Sequence, residues 1–285
     1  MNISDIQNVA VVGAGTMGLG IAQIMAQNGY DCLLFDIDQD VLNNAQLEIS
    51  KNLEKGIERR KLTSDEKNST LERLSFSTDF GLLKADLIIE AIIENLEVKQ
   101  KLFGDLENQN QDKTIFASNT SSIPITQIAA SLAQPARLAG MHFFNPAHIM
   151  KLVEVISGAA TNPTIANTLK VLAEKCGKKA VMAKDSPGFI VNRVARHFYV
   201  ESLLLLEEGV ADIKTIDNLM RASGFKMGPF ELMDLIGVDT NFSVTQSMFQ
   251  SFHHDSKFRP SRIQEQKVLA GHHGRKSGKG FYDYT

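Results

Sequence analysis

NVAVVGAGTMGLGIAQIMAQNG, residues 8 to 29, places a β-branched run, a glycine cluster and an apolar helical pattern end to end. Such a run reads as a buried parallel strand, and the apolar spacing after it reads as a helix over residues 18 to 28. Between them stands GAGTMG, residues 13 to 18, a GxGxxG in the strand-turn-helix context that gives the motif its meaning. Gly13 permits the tight turn, Gly15 lets a pyrophosphate approach the backbone, and Gly18 lets the helix pack against the strand. The positive end of the helix, with Thr16 and Met17, then faces the phosphates. The next run, DCLLFD, closes on Asp36, near the spacing of about 20 residues at which a carboxylate accepts hydrogen bonds from an adenosine ribose diol. A carboxylate there repels the 2′-phosphate of NADP, and no arginine follows within DIDQD, so NAD is the expected cofactor. The competing reading, a structural turn with a surface aspartate, does not explain why loop, order and carboxylate occur together.

Outward from this stretch the βαβ rhythm continues. DLIIEAI, TIFASN, RLAGMHFF, KLVEVIS and KKAVMAKD read as strands, separated by helical stretches such as NLEVKQKLFGDLEN and NPTIANTLKVLAEKCG. These imply an α/β fold with a doubly wound, mostly parallel sheet of Rossmann type. Residues 39 to 73 differ, reading as a charged helical hairpin inserted between strands and expected to project from the sheet. After KKAVMAKD the strand signals stop. DSPGF breaks the chain before IVNRVARHFYVESLLLLEEG, which places a domain boundary near residue 185: a dinucleotide-binding domain over 1–185 and an all-helical C-terminal domain over 186–285. Divisions at Gly209, Gly224, Gly237 and Pro260 separate its helices. Apolar residues there exceed what one amphipathic face requires, which suggests an additional buried surface such as a dimer contact.

Composition narrows the function. The 30 basic residues nearly balance the 33 acidic ones without a long run of one sign, so neither a nucleic-acid nor a membrane surface is expected. No apolar run approaches membrane-spanning length and the start lacks signal-peptide features, which reads as a cytoplasmic protein. Cys32 and Cys176 are isolated within periodic segments and read as reduced core residues. No metal site is expected: His253, His254, His272 and His273 are adjacent pairs without i, i+4 spacing or nearby cysteines, and read as surface.

The chemistry concentrates in MHFFNPAHIMKLVEVI, residues 141 to 156. His142 closes one strand run, at the carboxyl end where open α/β sheets place ligands, and Glu154 lies in the next. If Pro146 lets the two strands return on each other, the carboxylate fixes the tautomer of the ring and favours its protonated form, as reversible proton transfer requires. Three further stretches stay open on their residues alone. In SNTSSIPITQIA, Ser121 or Ser122 could cap a helix or face a ligand. Asn192, on the first turns of a helix, could face a cleft or solvent. IIEAIIENLEVK could be a buried strand entering a capped helix with Glu94 and Lys99 merely solvated.

Taken together, VAVVGAGTMGLGIAQ, EAIIENLEVKQKLF, ASNTSS, GMHFFNPAHIMKLVEVI, KDSPGFIVNRV, GFKMGPFELMDLIGVD and the terminal KSGKGFYDY resemble the 3-hydroxyacyl-CoA dehydrogenase family, in its short bacterial, 3-hydroxybutyryl-CoA-acting form. The resemblance runs over essentially the whole chain. It implies NAD-dependent interconversion of (3S)-3-hydroxyacyl-CoA, short-chain by its closest form, and 3-ketoacyl-CoA by a homodimer joined through the C-terminal domain. His142 would then be the catalytic base and Glu154 its partner, with Ser121 and Asn192 on the oxygens of the substrate. Asp36, Glu94, Lys99, Asn145 and Lys276 match positions that contact the dinucleotide. The hairpin would meet the CoA nucleotide through Asn52 and Arg59, where some members carry a serine and a lysine, with Lys55 nearby. Two other readings are a dehydrogenase of free β-hydroxyacids, commonly built around a lysine, and a non-catalytic dinucleotide sensor. The His/Glu pair argues against the second.

Overall fold

In a computed structural model of the chain, residues 3 to 284 are described, and the chain divides into two compact units between Ser186 and Pro187. The first unit is built on an eight-stranded sheet. Its strands are β1 (Asn8–Val12), β2 (Asp31–Phe35), β3 (Leu74–Ser77), β4 (Leu87–Glu90), β5 (Ile115–Ser118), β6 (Leu138–Phe143), β7 (Leu152–Ser157) and β8 (Lys179–Lys184), in the spatial order 3-2-1-4-5-6-7-8. Every pairing is parallel except β6 with β7. Helices α1 (Thr16–Gln27), α2 (Gln39–Glu58), α3 (Ser64–Glu72), α4 (Leu96–Gln109), α5 (Ile125–Ala129) and α6 (Pro163–Lys175) complete the unit. Strands β4, β5 and β6 are buried at every position, as expected of parallel strands covered on both faces, and this is why they read as continuous apolar runs. Cys32 and Cys176 are free and buried in this core.

The hairpin departs from expectation in two ways. It does not stand off the sheet: Leu42, Ala45, Ile49 and Leu53, one stripe of α2, are buried in the same core as Ile21 and Met25 of α1. It also delivers a strand that its sequence did not announce. A step from β2 to a parallel neighbour requires a crossover, and α2 with α3 supplies it, ending in the half-buried edge strand β3. Asp38 caps α2, and a Thr63/Glu66 capping box starts α3, so each helix of the pair carries its own start signal.

The second unit holds α7 (Val191–Glu207), α8 (Ile213–Ala222), α9 (Pro229–Ile236), α10 (Val238–Ser251) and α11 (Arg262–Leu269) around Tyr199, Leu203, Ile216, Phe230, Met233, Val238 and Phe281. Two buried aspartates fasten it. Asp217 accepts from the backbone of Phe230 and Glu231 and from the Tyr282 hydroxyl, capping α9 from a distance. Asp234 accepts from the backbone of Phe281 and Tyr282 and from the Tyr284 hydroxyl, and so holds the terminal segment. The second glycine of GFKMGPF and of GKGF falls where these carboxylates come close: a Cβ on Gly228 would lie 2.3 Å from Asp217, and one on Gly280 2.0 Å from Asp234. Of the histidines read as surface, His253 and His254 are exposed. His272 and His273 are half-buried, and the His273 Nε2 lies 3.2 Å from the Val268 carbonyl oxygen.

Candidate active site

The parallel order of β2, β1, β4, β5 and β6 brings their carboxyl ends to one edge of the sheet, and the loops that follow them collect there. After β1 comes the glycine loop. Gly13 has φ +99°, and a Cβ on it would meet the Ala91 carbonyl oxygen at 2.7 Å. One on Gly18 would sit 1.7 Å from the Gly13 carbonyl oxygen, so only glycine lets α1 close down on the turn. Gly15 is the contrast: nothing lies within 4 Å of its Cβ position, and as N-cap of α1 it offers no side-chain cap. Open space above uncapped N–H groups at a helix start fits a pyrophosphate. Asp36, after β2, accepts from Ala14 N at 2.7 Å and from Asp38 N at 3.1 Å, which locks the carboxylate beside the loop.

His142, near the end of β6, is buried and stands directly opposite Glu154 of β7 in the antiparallel register. Its Nδ1 is 2.8 Å from Glu154 Oε2, and its Nε2 is 3.1 Å from Ser121 Oγ. The Glu154 carboxylate accepts, which places a proton on Nδ1 and leaves Nε2 as the acceptor toward Ser121. The Phe144 ring packs against the imidazole at 4.6 Å between centroids. A serine hydroxyl, an imidazole and a buried carboxylate thus form one hydrogen-bonded chain on the edge that carries the glycine loop. Such an arrangement can take up a proton at Nε2 while the carboxylate stabilises the resulting ring charge.

Glu94 keeps its side chain 38% exposed, whereas Lys99 is not solvated. The Lys99 side chain is 1% exposed, with Nζ 2.5 Å from Glu90 Oε1 and 3.3 Å from Glu94 Oε2. Its ammonium is enclosed between two carboxylates, forming an internal ion triad. Burial drives the Glu90 carboxyl above its usual range, against the pull of Lys99. Burial acts the same way on Glu94, but Lys99 and the hydroxyl and backbone donors of Thr120, Ser121 and Ser122 outweigh it and hold the carboxyl below its usual range. Nor does Ser121 or Ser122 cap a helix. The first residue before α5 is Pro124, and the amides of Ile125 and Thr126 are capped by Asp185.

Glu90, Ser118, Asn119 and Asp185 were missed from sequence. For Glu90 a signal existed: a carboxylate inside an otherwise apolar strand demands a buried cation. Asn145 lies exposed in the loop after β6. On α2, Asn52 is half-buried with its amide 3.4 Å from Gln23 Oε1, while Lys55 and Arg59 at the C-terminal end are exposed. Lys178 adds a half-buried ammonium bonded to the Ala147 and Met150 carbonyls. Burial, then the charges of Lys178 and Lys55, lower the pKa of His148, so that corner is electropositive. Asn192 and Lys276 belong to the second unit. Asn192 is half-buried at the start of α7, and Lys276 Nζ is 2.7 Å from Asp239 Oδ2.

Residues 8–186 match the NAD binding domain of 3-hydroxyacyl-CoA dehydrogenase, and residues 188–284 match its C-terminal domain. A 3-hydroxyadipyl-CoA dehydrogenase of Escherichia coli is 48% identical over 98% of this chain, which spans 59% of that protein's length. A probable 3-hydroxybutyryl-CoA dehydrogenase of Bacillus subtilis is 42% identical, with 98% of each chain covered. The solved structure of an (S)-3-hydroxybutyryl-CoA dehydrogenase from Ralstonia eutropha matches with TM-score 0.94 at 38% identity, covering 99% of this chain and all of that one.

Proposed function

Because this chain belongs to the NAD-dependent 3-hydroxyacyl-CoA dehydrogenase family, we propose that it oxidises a short-chain (3S)-3-hydroxyacyl-CoA, of the 3-hydroxybutyryl type, with His142 as acid/base. The observation that carries the proposal is the Ser121–His142–Glu154 chain on the nucleotide edge of the sheet. Nε2 of His142 takes the C3 hydroxyl proton and, in reverse, returns it to the forming alkoxide. Glu154 stabilises the ring charge that appears at that moment, so the pair binds the transition state better than the ground state. Ser121 Oγ, beside Nε2, hydrogen-bonds the same substrate oxygen. When bound, the nicotinamide supplies the hydride acceptor for C3.

The resemblance adds Asn192 as a second hydrogen-bond partner of the substrate, and Asn145 and Lys276 as dinucleotide contacts. Asn52, Lys55 and Arg59 are the proposed contacts for the CoA nucleotide, where exposed cations at a helix end suit phosphates. Exposed apolar side chains of the second unit, among them Val194, Phe225 and Leu235, support a homodimer. Light scattering of the purified chain tests that state. For the activity, NADH oxidation with acetoacetyl-CoA is compared with that on free acetoacetate, then across C4 to C16 3-ketoacyl-CoAs and against NADPH. A faster rate on the free acid overturns the CoA assignment.

A further inference from the structure

We infer that Glu94, braced by Lys99, is a positioning residue for the reaction: it holds the loop after β5 so that the Ser121 hydroxyl meets Nε2 of His142. The inference rests on the proposed roles of His142 and Ser121. Four donors converge on one oxygen of Glu94: Thr120 Oγ1 at 2.7 Å, Ser121 N at 2.9 Å, Ser122 N at 3.0 Å and Ser122 Oγ at 3.1 Å. The other oxygen faces Lys99, whose position is set in turn by Glu90, and Glu90 accepts from Ser118 Oγ at 2.6 Å on the strand that leads into the loop. The loop is held downstream as well, where Asp185 accepts from Ile125 N and Thr126 N. Across from it, the Asn119 side chain accepts from Phe143 N, next to His142.

Ser121 therefore sits in a segment whose backbone is fixed on three sides, although it lies between β5 and α5 in neither strand nor helix. With the amide of Ser121 fixed by Glu94, aiming the hydroxyl reduces to one side-chain torsion. The assembly uses a carboxylate because nothing of similar size accepts on both oxygens. A glutamine would turn its amino group either to the four loop donors or to the Lys99 ammonium, setting donor against donor in both cases. Small displacements at a reacting geometry cost large factors in rate, so loosening this loop is expected to appear in turnover.

The test is a double-mutant cycle in the full-length enzyme with Glu94→Gln, Ser121→Ala and the pair, using acetoacetyl-CoA and NADH. Glu94→Gln is expected to lower kcat by about tenfold or more, with the NADH dissociation constant, read by fluorescence, changed less than about twofold. In the Ser121→Ala background, Glu94→Gln should add less than about twofold, because the group it aims is gone. Thr120→Val, which deletes one of the four donors, should give a smaller loss with the same dependence on Ser121, and it carries the cycle if Glu94→Gln does not fold. The inference is overturned if the two losses multiply, if kcat holds while NADH binding weakens, or if Glu94→Gln keeps full rate while Ser121→Ala does not. Full rate in Ser121→Ala would instead remove the role of Ser121 itself, and the inference with it.

Discussion

Glu154 in the first unit and Asp234 in the second are equally removed from water, at 0% and 1% exposure, yet they are surrounded in opposite ways. Asp234 receives two backbone amides and a tyrosine hydroxyl. Glu154 faces an imidazole whose other nitrogen reaches Ser121 on the nucleotide edge. The first pattern fastens chain to chain. The second passes the influence of the carboxylate through a ring that can gain and lose a proton. What a buried acid faces, more than its depth, separates a fastener from a group suited to the proton transfer proposed for His142.

Four measurements sharpen or break that contrast. The largest effect belongs to His142→Ala, expected to lower kcat by about 10² to 10⁴-fold while NADH binding and the thermal midpoint stay near wild type; an unfolded variant would move His142 into the fastening class. Next is Asp234→Ala, expected to cost about 3 kcal/mol of unfolding free energy by stranding its amide and hydroxyl donors. Denaturant unfolding that shifts by less than about 0.5 kcal/mol would deny Asp234 its structural part.

The third measurement separates Glu94 from Asp217 by pH. The Glu94 carboxyl is held below its usual 4.5 in the fold, so its stabilisation is fully present above that value and is lost as pH falls toward the lower folded value. Burial holds the Asp217 carboxyl above its usual 3.8, with its amide and tyrosine donors offsetting only part of the shift. Stability from that site therefore falls as pH rises through that window. Relative to wild type, the unfolding penalty of Glu94→Gln should shrink on acidification while that of Asp217→Asn grows, as read by urea midpoints across the acid range. Parallel trends would refute one of the two assignments. The smallest effect is expected of Lys55→Ala and Arg59→Ala, whose exposed side chains should leave stability unchanged within about 0.5 kcal/mol. The KM for acetoacetyl-CoA should rise a few-fold in low salt, and added salt should close the gap.

Local chemistry was readable in the sequence, and pairings made at long range were not. Gly13, Gly15, Gly18 and Asp36 announce themselves because turn, helix start and carboxylate lie close along the chain. The meeting of His142 with Glu154 was foreseeable from two strand runs separated by Pro146. The strand β3 was hidden because Leu74–Ser77 is short, half-buried and on the sheet edge, where neither alternation nor a continuous apolar run develops. The enclosure of Lys99 was hidden for a different reason: on α4 it looks like any charge on an amphipathic helix, and only the strand end that carries Glu90 makes it internal. Likewise Gly228 in GFKMGPF and Gly280 in GKGF stand in glycine motifs, but their reason, the approach of Asp217 and Asp234, lies on other elements of the unit.

The single reversal of strand direction in the sheet has a further consequence. Because β7 runs back along β6, His142 and Glu154 face each other although only twelve positions separate them. Both are therefore encoded by one short stretch of the gene, and recombination between relatives would almost always inherit them as a unit. In grafting or shuffling, that hairpin is the segment to move whole, since a crossover inside it would unite two halves never selected together.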